Sequence, residues 1–217
     1  ETTATAAEPR AVVAAEKDER VFIDAVLLQR IEHRAHAVVE IEQGIARLRE
    51  LVREWDPHPT FFELAFALAL DWFAQRGLEW IVLETGLGGR LAATNAITPV
   101  VSVITPIGWD HMQILGDTLA KIASEKAGII KPGVPFVTQT QDDDALDVLL
   151  STAREKNAPL TLVTEPCDLP LGLAGPHQRW NAALALAALR AAGLDLPPNV
   201  LEAGLKLVEW PARFQRL

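Results

Sequence analysis

The residues best able to do chemistry lie in three short segments. In the first, Ile81-Val82-Leu83-Glu84 runs into Thr85-Gly86-Leu87-Gly88-Gly89-Arg90. Three apolar residues lead into an acid, which a buried strand tolerates only at its end. The glycines then let the backbone turn tightly and approach a ligand closely. In an open α/β sheet an acid at the carboxyl end of a strand stands where ligands and metals bind. The alternative is an ordinary turn with a solvated glutamate. In the second segment, the β-branched run 100–105 leads through Pro106-Ile107-Gly108-Trp109 to Asp110-His111. Glu84, Asp110 and His111 are hard or borderline donors suited to a phosphate-bound Mg²⁺. In the third, residues 122–131 predict a helix carrying Lys126, stopped by Gly128 and by Pro132-Gly133. Singly, a histidine after a strand is a structural donor and a helical lysine a solvated charge. The signal lies in their joint order.

Something must hold these segments together. Strands are expected near 80–84, 100–105, 134–138 and 159–163, alternating with helices near 117–127, 143–156, 177–192 and 198–207. That alternation predicts an α/β fold, a mostly parallel sheet with helices on both faces. A helix is also expected over about 29–55, with Val38, Val39, Ile41, Ile45, Leu48 and Leu51 on one apolar stripe. His33 and His36 are three apart on it, as metal ligands can be, but no acid or cysteine accompanies them, so a solvated face is the reading. Thr60, after the break Asp56-Pro57-His58-Pro59, is placed to cap a second, buried helix through Phe73. Residues 1–18, interrupted by Pro9, are expected to be poorly ordered or loosely helical. Arg20-Val21-Phe22-Ile23-Asp24 alternates like a strand, and residues 19–217 are expected to form a single domain.

The same segments, taken with their neighbours, carry a resemblance. They are Pro59-Thr60-Phe61-Phe62-Glu63, Leu83 through Leu91, Ala93-Thr94-Asn95, Ile107-Gly108-Trp109-Asp110-His111, Leu115-Gly116-Asp117-Thr118, residues 122–131 with the core Glu125-Lys126-Ala127-Gly128, Gly175-Pro176-His177-Gln178-Arg179-Trp180-Asn181-Ala182, and Trp210-Pro211-Ala212-Arg213-Phe214. In this order they closely resemble the folylpolyglutamate synthase/dihydrofolate synthase family of the Mur ligase superfamily. The resemblance implies a Mur-ligase-like central domain and an ATP-dependent amide ligation. A carboxylate of a folate or dihydropteroate is phosphorylated, and the amine of L-glutamate attacks the acyl phosphate. A carboxylate is a poor acylating agent, so it needs a better leaving group and stabilisation of phosphoryl charge. By resemblance Glu84 and His111 hold Mg²⁺, and Lys126, 15 residues after His111, is a metal ligand when carbamylated. Gln178 and Asn181, with His177 beside them, face the nucleotide, and Arg213 reaches the ATP phosphates, for which its planar fork is suited. Phe62, Arg90, Thr94, Asn95 and Asp110 fall on the substrate side. The implied partners are small molecules alone, and the implied state is a monomer, since this superfamily's active site lies within one chain.

The chain departs from the pattern in three ways. Family members begin with a strand, a glycine-rich phosphate loop ending in Gly-Lys-Ser/Thr, and a helix, and no such tripeptide occurs here. The chain also stops after Arg213-Phe214, so the smaller C-terminal domain of the family is expected to be missing and the domain incomplete. Ala92 stands where the family has Asp before Ala-Thr-Asn. Phe66 and Ala212, for Thr and Gly, read as packing variation. The absence of the loop motivates a competing reading, a non-catalytic core that binds metal, folate or a partner without ATP turnover. A sister ligase acting on a cell-wall precursor is a third, against which Leu87 through Arg90 and His177-Gln178 point.

Composition bounds the rest. With 217 residues, 49% hydrophobic and 23% charged, the chain can bury a substantial core as one domain. A net charge of −9 argues against non-specific nucleic-acid binding, and anionic substrates must be attracted locally against the average field. No apolar run approaches the roughly 20 residues that span a bilayer, and the start is neither basic nor followed by a signal core. It lacks an initiator Met, as a processed or truncated product would. The single cysteine, Cys167, suits a reducing cytosol, hence a cytoplasmic location. Asp142-Asp143-Asp144 are read as acids at a helix N-terminus rather than a metal site. Trp180 is assigned to packing, with a nucleotide-base pocket as the alternative.

Overall fold

The computed structural model describes residues 10–15 and 34–210, with side chains from residue 40 onwards. Five parallel strands are β1 (Arg10–Ala15), β2 (Trp80–Glu84), β3 (Val101–Ile104), β4 (Phe136–Gln139) and β5 (Leu160–Val163), in the order β2-β1-β3-β4-β5. β1 sits between β2 and β3, with Val12 opposite Val82 on one side and Val101 on the other. In a doubly wound sheet of this order the chain reverses direction between β1 and β3, and ligands bind at the carboxyl ends of the strands there. The predicted parallel sheet is thus present, but residues 10–15 are a central strand rather than a loose segment. Its six residues, flanked by acids and Pro9, include only two β-branched side chains; two neighbouring ladders, not local propensity, hold them extended. Residues 20–24, His33 and Arg213 lie outside the described residues.

Among the described residues there are seven helices, α1 (Arg34–Leu51), α2 (Phe61–Gln75), α3 (Met112–Leu115), α4 (Leu119–Ala127), α5 (Asp143–Glu155), α6 (Pro176–Ala191) and α7 (Pro198–Leu207). One core lies on the face of α2, α4 and α5, where Leu83, Ile104, Ile122, Ile130, Phe136 and Leu149 are buried. On the other face Val101, Val103 and Val137 meet Leu184 and Ala188 of α6, whose small residues allow a close approach.

The expected helices are found, with two corrections. α2 starts as predicted: Thr60 Oγ1 accepts from the Glu63 N–H (3.3 Å), and Glu63 accepts from the Thr60 N–H (2.7 Å), a closed capping box. Yet none of its residues is fully buried, because it lies over β2, the edge strand. The stripe on α1 is not the face that packs. Ile41, Ile45 and Leu51 are exposed, and α1 meets α2 instead through buried Gly44, where a Cβ would fall 2.4 Å from the Leu68 side chain. Arg47–Asp71 (2.6 Å) and Arg76–Glu40 pairs flank that contact. Asp142 caps α5, and Asp143 and Asp144 occupy its first turn, as read from the sequence.

Candidate active site

Glu84 closes β2 and is buried together with Thr85. The glycines beyond it hold the loop against its surroundings by lacking side chains. A Cβ on Gly86 would lie 2.9 Å from the Phe62 ring, and one on Gly89 would lie 2.8 and 2.9 Å from the carbonyl oxygens of Lys126 and Glu125. The reciprocal position is Gly128, where a Cβ would fall 2.3 Å from Arg90 Cα. Into this approach the Arg90 N–H donates to the Glu125 carbonyl (2.8 Å), and the Arg90 guanidinium pairs with the Glu125 carboxylate (3.0 Å). The glycine loop that follows Glu84 and the end of α4, which carries half-buried Lys126, are therefore one unit.

The segment after β3 is braced separately. The Ile107 N–H donates to Gln141 Oε1 (2.7 Å), whose amide in turn reaches Thr138 Oγ1 (3.1 Å). It ends at His111, left-handed at φ 50° as the N-cap of α3, with its N–H on Asp110 Oδ1 (2.8 Å). Such a backbone is unusual for a non-glycine residue and concentrates at functional turns. His111 is partly exposed, with Nε2 3.7 Å from Asp110 Oδ2.

A cleft of about 470 Å³ opens beside the glycine loop, lined by Thr60, Phe62, Glu63, Gly86, Leu87, Leu91, Ala92 and Ala93. Of the expected substrate residues only Phe62 lines it. Arg90 is engaged with α4. Thr94 is buried with Oγ1 unpartnered, and Asn95 donates to the Arg90 carbonyl (2.9 Å) with its own Oδ1 unpartnered. Both stand on the 3₁₀ turn Ala93–Ala96 that continues the cleft wall. Behind it Lys131 Nζ donates to the Asn95 carbonyl (2.7 Å), and burial, then the charge of Lys156, lowers its pKa from the usual 10.5.

At the start of α6, Asn181 donates to Gln178 Oε1 (3.3 Å) and the Gln178 amide meets His177 Nε2 (3.1 Å). His177 is exposed, while Gln178, Trp180 and Asn181 are half-buried. Gln141 and Leu91 were not singled out from the sequence; Gln141 sits in a loop and reveals its role only through the turn it braces.

Among the described residues no three His, Cys, Asp or Glu side chains converge on one point. Glu84 and His111, with a carbamylated Lys126, would still suit Mg²⁺, which takes one or two protein ligands and completes its shell with water and substrate phosphate oxygens. A protein-only cage is not what that donor set offers.

No model of a protein family matches the chain. It is 35% identical over 205 residues to a dihydrofolate synthase/folylpolyglutamate synthase of Bacillus subtilis, covering 76% of this chain and 48% of that protein. Folylpolyglutamate synthase of Thermotoga maritima superposes with a TM-score of 0.72 at 31% identity, over 82% of this chain and 47% of that one. An FPGS–AMPPCP–folate complex superposes at 0.78 and 26% identity, over 97% and 65%. The chain thus spans about half the length, or less, of the curated relatives it matches. Among the described residues no helix is long and apolar enough to cross a membrane. Parallel sheet, glycine loop docked on α4 and these likenesses together make the chain a member of the folylpolyglutamate synthase/dihydrofolate synthase family of ligases, of which it carries a part.

Proposed function

We propose that this chain supplies the metal- and substrate-facing core of an ATP- and Mg²⁺-dependent ligase that joins L-glutamate to a folate, and to dihydropteroate, as a cytosolic monomer. The observation that supports the reading is the docking of the glycine loop that follows Glu84 on the end of α4 that carries Lys126, at the carboxyl side of the strands where doubly wound sheets bind ligands. A relative in complex with AMPPCP and folate superposes over nearly the whole chain.

In this reading a carboxylate oxygen of the folate attacks the γ-phosphorus and ADP leaves. The glutamate amine then attacks the acyl carbon, phosphate leaves with the C–O electron pair, and the amine loses a proton. Mg²⁺, when bound, neutralises charge on the phosphoryl oxygens. Glu84 and His111 would hold it, Lys126 would join them if carbamylated, and Arg213 would meet a phosphate, to which its planar fork is suited. Phe62 offers an aromatic wall of the cleft to the flat end of the folate. His177, Gln178 and Asn181 face the nucleotide.

Calorimetry of a non-hydrolysable ATP analogue with Mg²⁺ tests it. Micromolar binding that Glu84→Ala removes is expected, and binding unchanged in that variant would overturn the assignment. One observation favours a second reading. β1 occupies the place from which doubly wound folds launch a phosphate-binding loop, yet the sequence holds no glycine before Gly44. A folded core that binds metal or folate without ATP turnover would fit that segment, and ATP hydrolysis by the chain would eliminate it.

A further inference from the structure

Gln139 ends β4, is only 6% exposed, and its Oε1 is buried with no hydrogen-bond partner among the described residues. A buried amide oxygen left unpaired is costly, and native interiors hold few of them. Strand alternation says which way it faces. Val137, two residues earlier, packs with Leu184 and Ala188 of α6, whereas Phe136 packs on the opposite face, so Gln139 faces α6. Its register partner Val163 belongs to the same cluster.

The chain after β5 returns to this place. The Cys167 N–H donates to the Arg179 carbonyl (2.9 Å) and Arg179 pairs with Asp168 (2.5 Å), which brings the first turns of α6 to the carboxyl ends of β4 and β5. The helix stripe of Ala188 and Leu184 continues one turn earlier at Asn181. There Asn181 and Gln178 form their chain of side-chain hydrogen bonds. The carboxyl end of β4 and the first turns of α6, the helix that packs on that strand, thus carry three planar amides between them. Neutral amides suit the edge of a flat heterocycle better than they suit a phosphate.

We propose that Gln139 recognises the exocyclic amino group of an adenine ring seated between the carboxyl end of β4 and the first turn of α6. This deepens the nucleotide reading above and rests on it. Rotation about the last side-chain torsion, which is soft for an amide, presents Oε1 to the ring without moving the strand. The amine donates one N–H to an oxygen that otherwise has no donor. A site built to pair with such a group rejects an analogue lacking it, because the oxygen is then left unpaired again.

Nucleosides make the test independent of the phosphate end of the site. Adenosine, and purine riboside, which lacks the amine, are titrated into the ¹⁵N-labelled chain and its Gln139→Leu variant. The Gln139 side-chain amide resonances are expected to shift with adenosine only. Adenosine should bind about threefold to tenfold more tightly than purine riboside, the worth of one neutral hydrogen bond. Gln139→Leu should bring that ratio to about one, with purine riboside affinity unchanged and the thermal midpoint at or above the parent's, since leucine removes an orphaned polar atom. Adenosine preference that survives in Gln139→Leu overturns the proposal and leaves the nucleotide reading standing. So does an unmoved Gln139 amide in the parent when adenosine binds, a readout that needs no variant. Binding of neither nucleoside overturns it too, and the ATP-analogue calorimetry then decides whether the nucleotide reading falls with it.

Discussion

Gly89→Ala should uncouple the glycine loop from α4, and the size of the effect follows from the contacts. The added methyl would stand 2.8 Å from the Lys126 carbonyl oxygen and 2.9 Å from that of Glu125. Both are backbone atoms, fixed by their helix, so no flexible side chain can give way. Gly89 has no left-handed backbone angle, so the cost is one of space, not of conformation. Overpacking of a tight contact costs about 1–3 kcal/mol, and the strained Arg90 N–H to Glu125 hydrogen bond puts about 0.5–1.5 kcal/mol more at stake. A total of roughly 2–4 kcal/mol corresponds to a fall in thermal midpoint of roughly 4–16 °C for a chain of this size. Gly133→Ala is the control. Its φ of +70° is strained for alanine, but nothing lies within 4 Å of the new methyl, so about 1–2 kcal/mol is expected. Tryptophan fluorescence during thermal and urea unfolding reads both variants, and Mg²⁺-dependent analogue binding should weaken only in Gly89→Ala. A Gly89→Ala midpoint no lower than that of Gly133→Ala would refute the claim that this contact holds the site together.

Lys126→Ala should lose metal-dependent nucleotide binding and regain part of it with added small carboxylates; calorimetry with and without acetate checks this, and kinetics identical to the parent would count against carbamylation. Thr60→Ala should lower stability by about 1 kcal/mol through loss of the α2 cap, read by urea midpoint. Glu63 has its pKa lowered, first by the Thr60 backbone hydrogen bond and then by the Thr60 hydroxyl. That contribution is present above the usual carboxylate range and is lost as pH falls through the lowered value, so the parent's advantage over Thr60→Ala should shrink in acid. Lys131 gives the same slope with pH, but from a buried charge that costs stability while it is protonated. Its pKa is depressed from 10.5, so the unfolded chain binds more protons in alkali and stability should rise with pH up to that range, a rise that Lys131→Met abolishes.

Beyond residue 80 the strands and the longer helices are legible because each has its own period and its own stop signals; the single turn α3 is too short to show one. Thr60 announced its helix through Glu63, three residues on, and the pair forms the capping box that spacing predicts. Glu84 could be placed at a strand end because three apolar residues led to it. Other features were invisible for a physical reason. β1 is defined by partners about 70 and about 90 residues away, and no local pattern records that. The stripe on α1 misled because periodicity marks an apolar face without saying whether a neighbour lies on it. Gln139 was overlooked although alternation along β4 already set it on an inward face; its unpaired oxygen exists only once the strands are assembled.

The central place of β1 has a consequence for how the protein is made. The strand leaves the ribosome before either of its neighbours, and must wait for about 70 residues of synthesis before β2 can pair with it. Pairings of such long range are slow, because loop closure precedes any gain. Until then β1 has no strand to pair with, and β3, its other neighbour, is made later still. A nascent chain released early would present two unsatisfied strand edges, the kind of surface that templates pairing with another chain. Folding yield should accordingly depend on translation rate and on chaperones more steeply than the short ladders of this sheet alone would suggest.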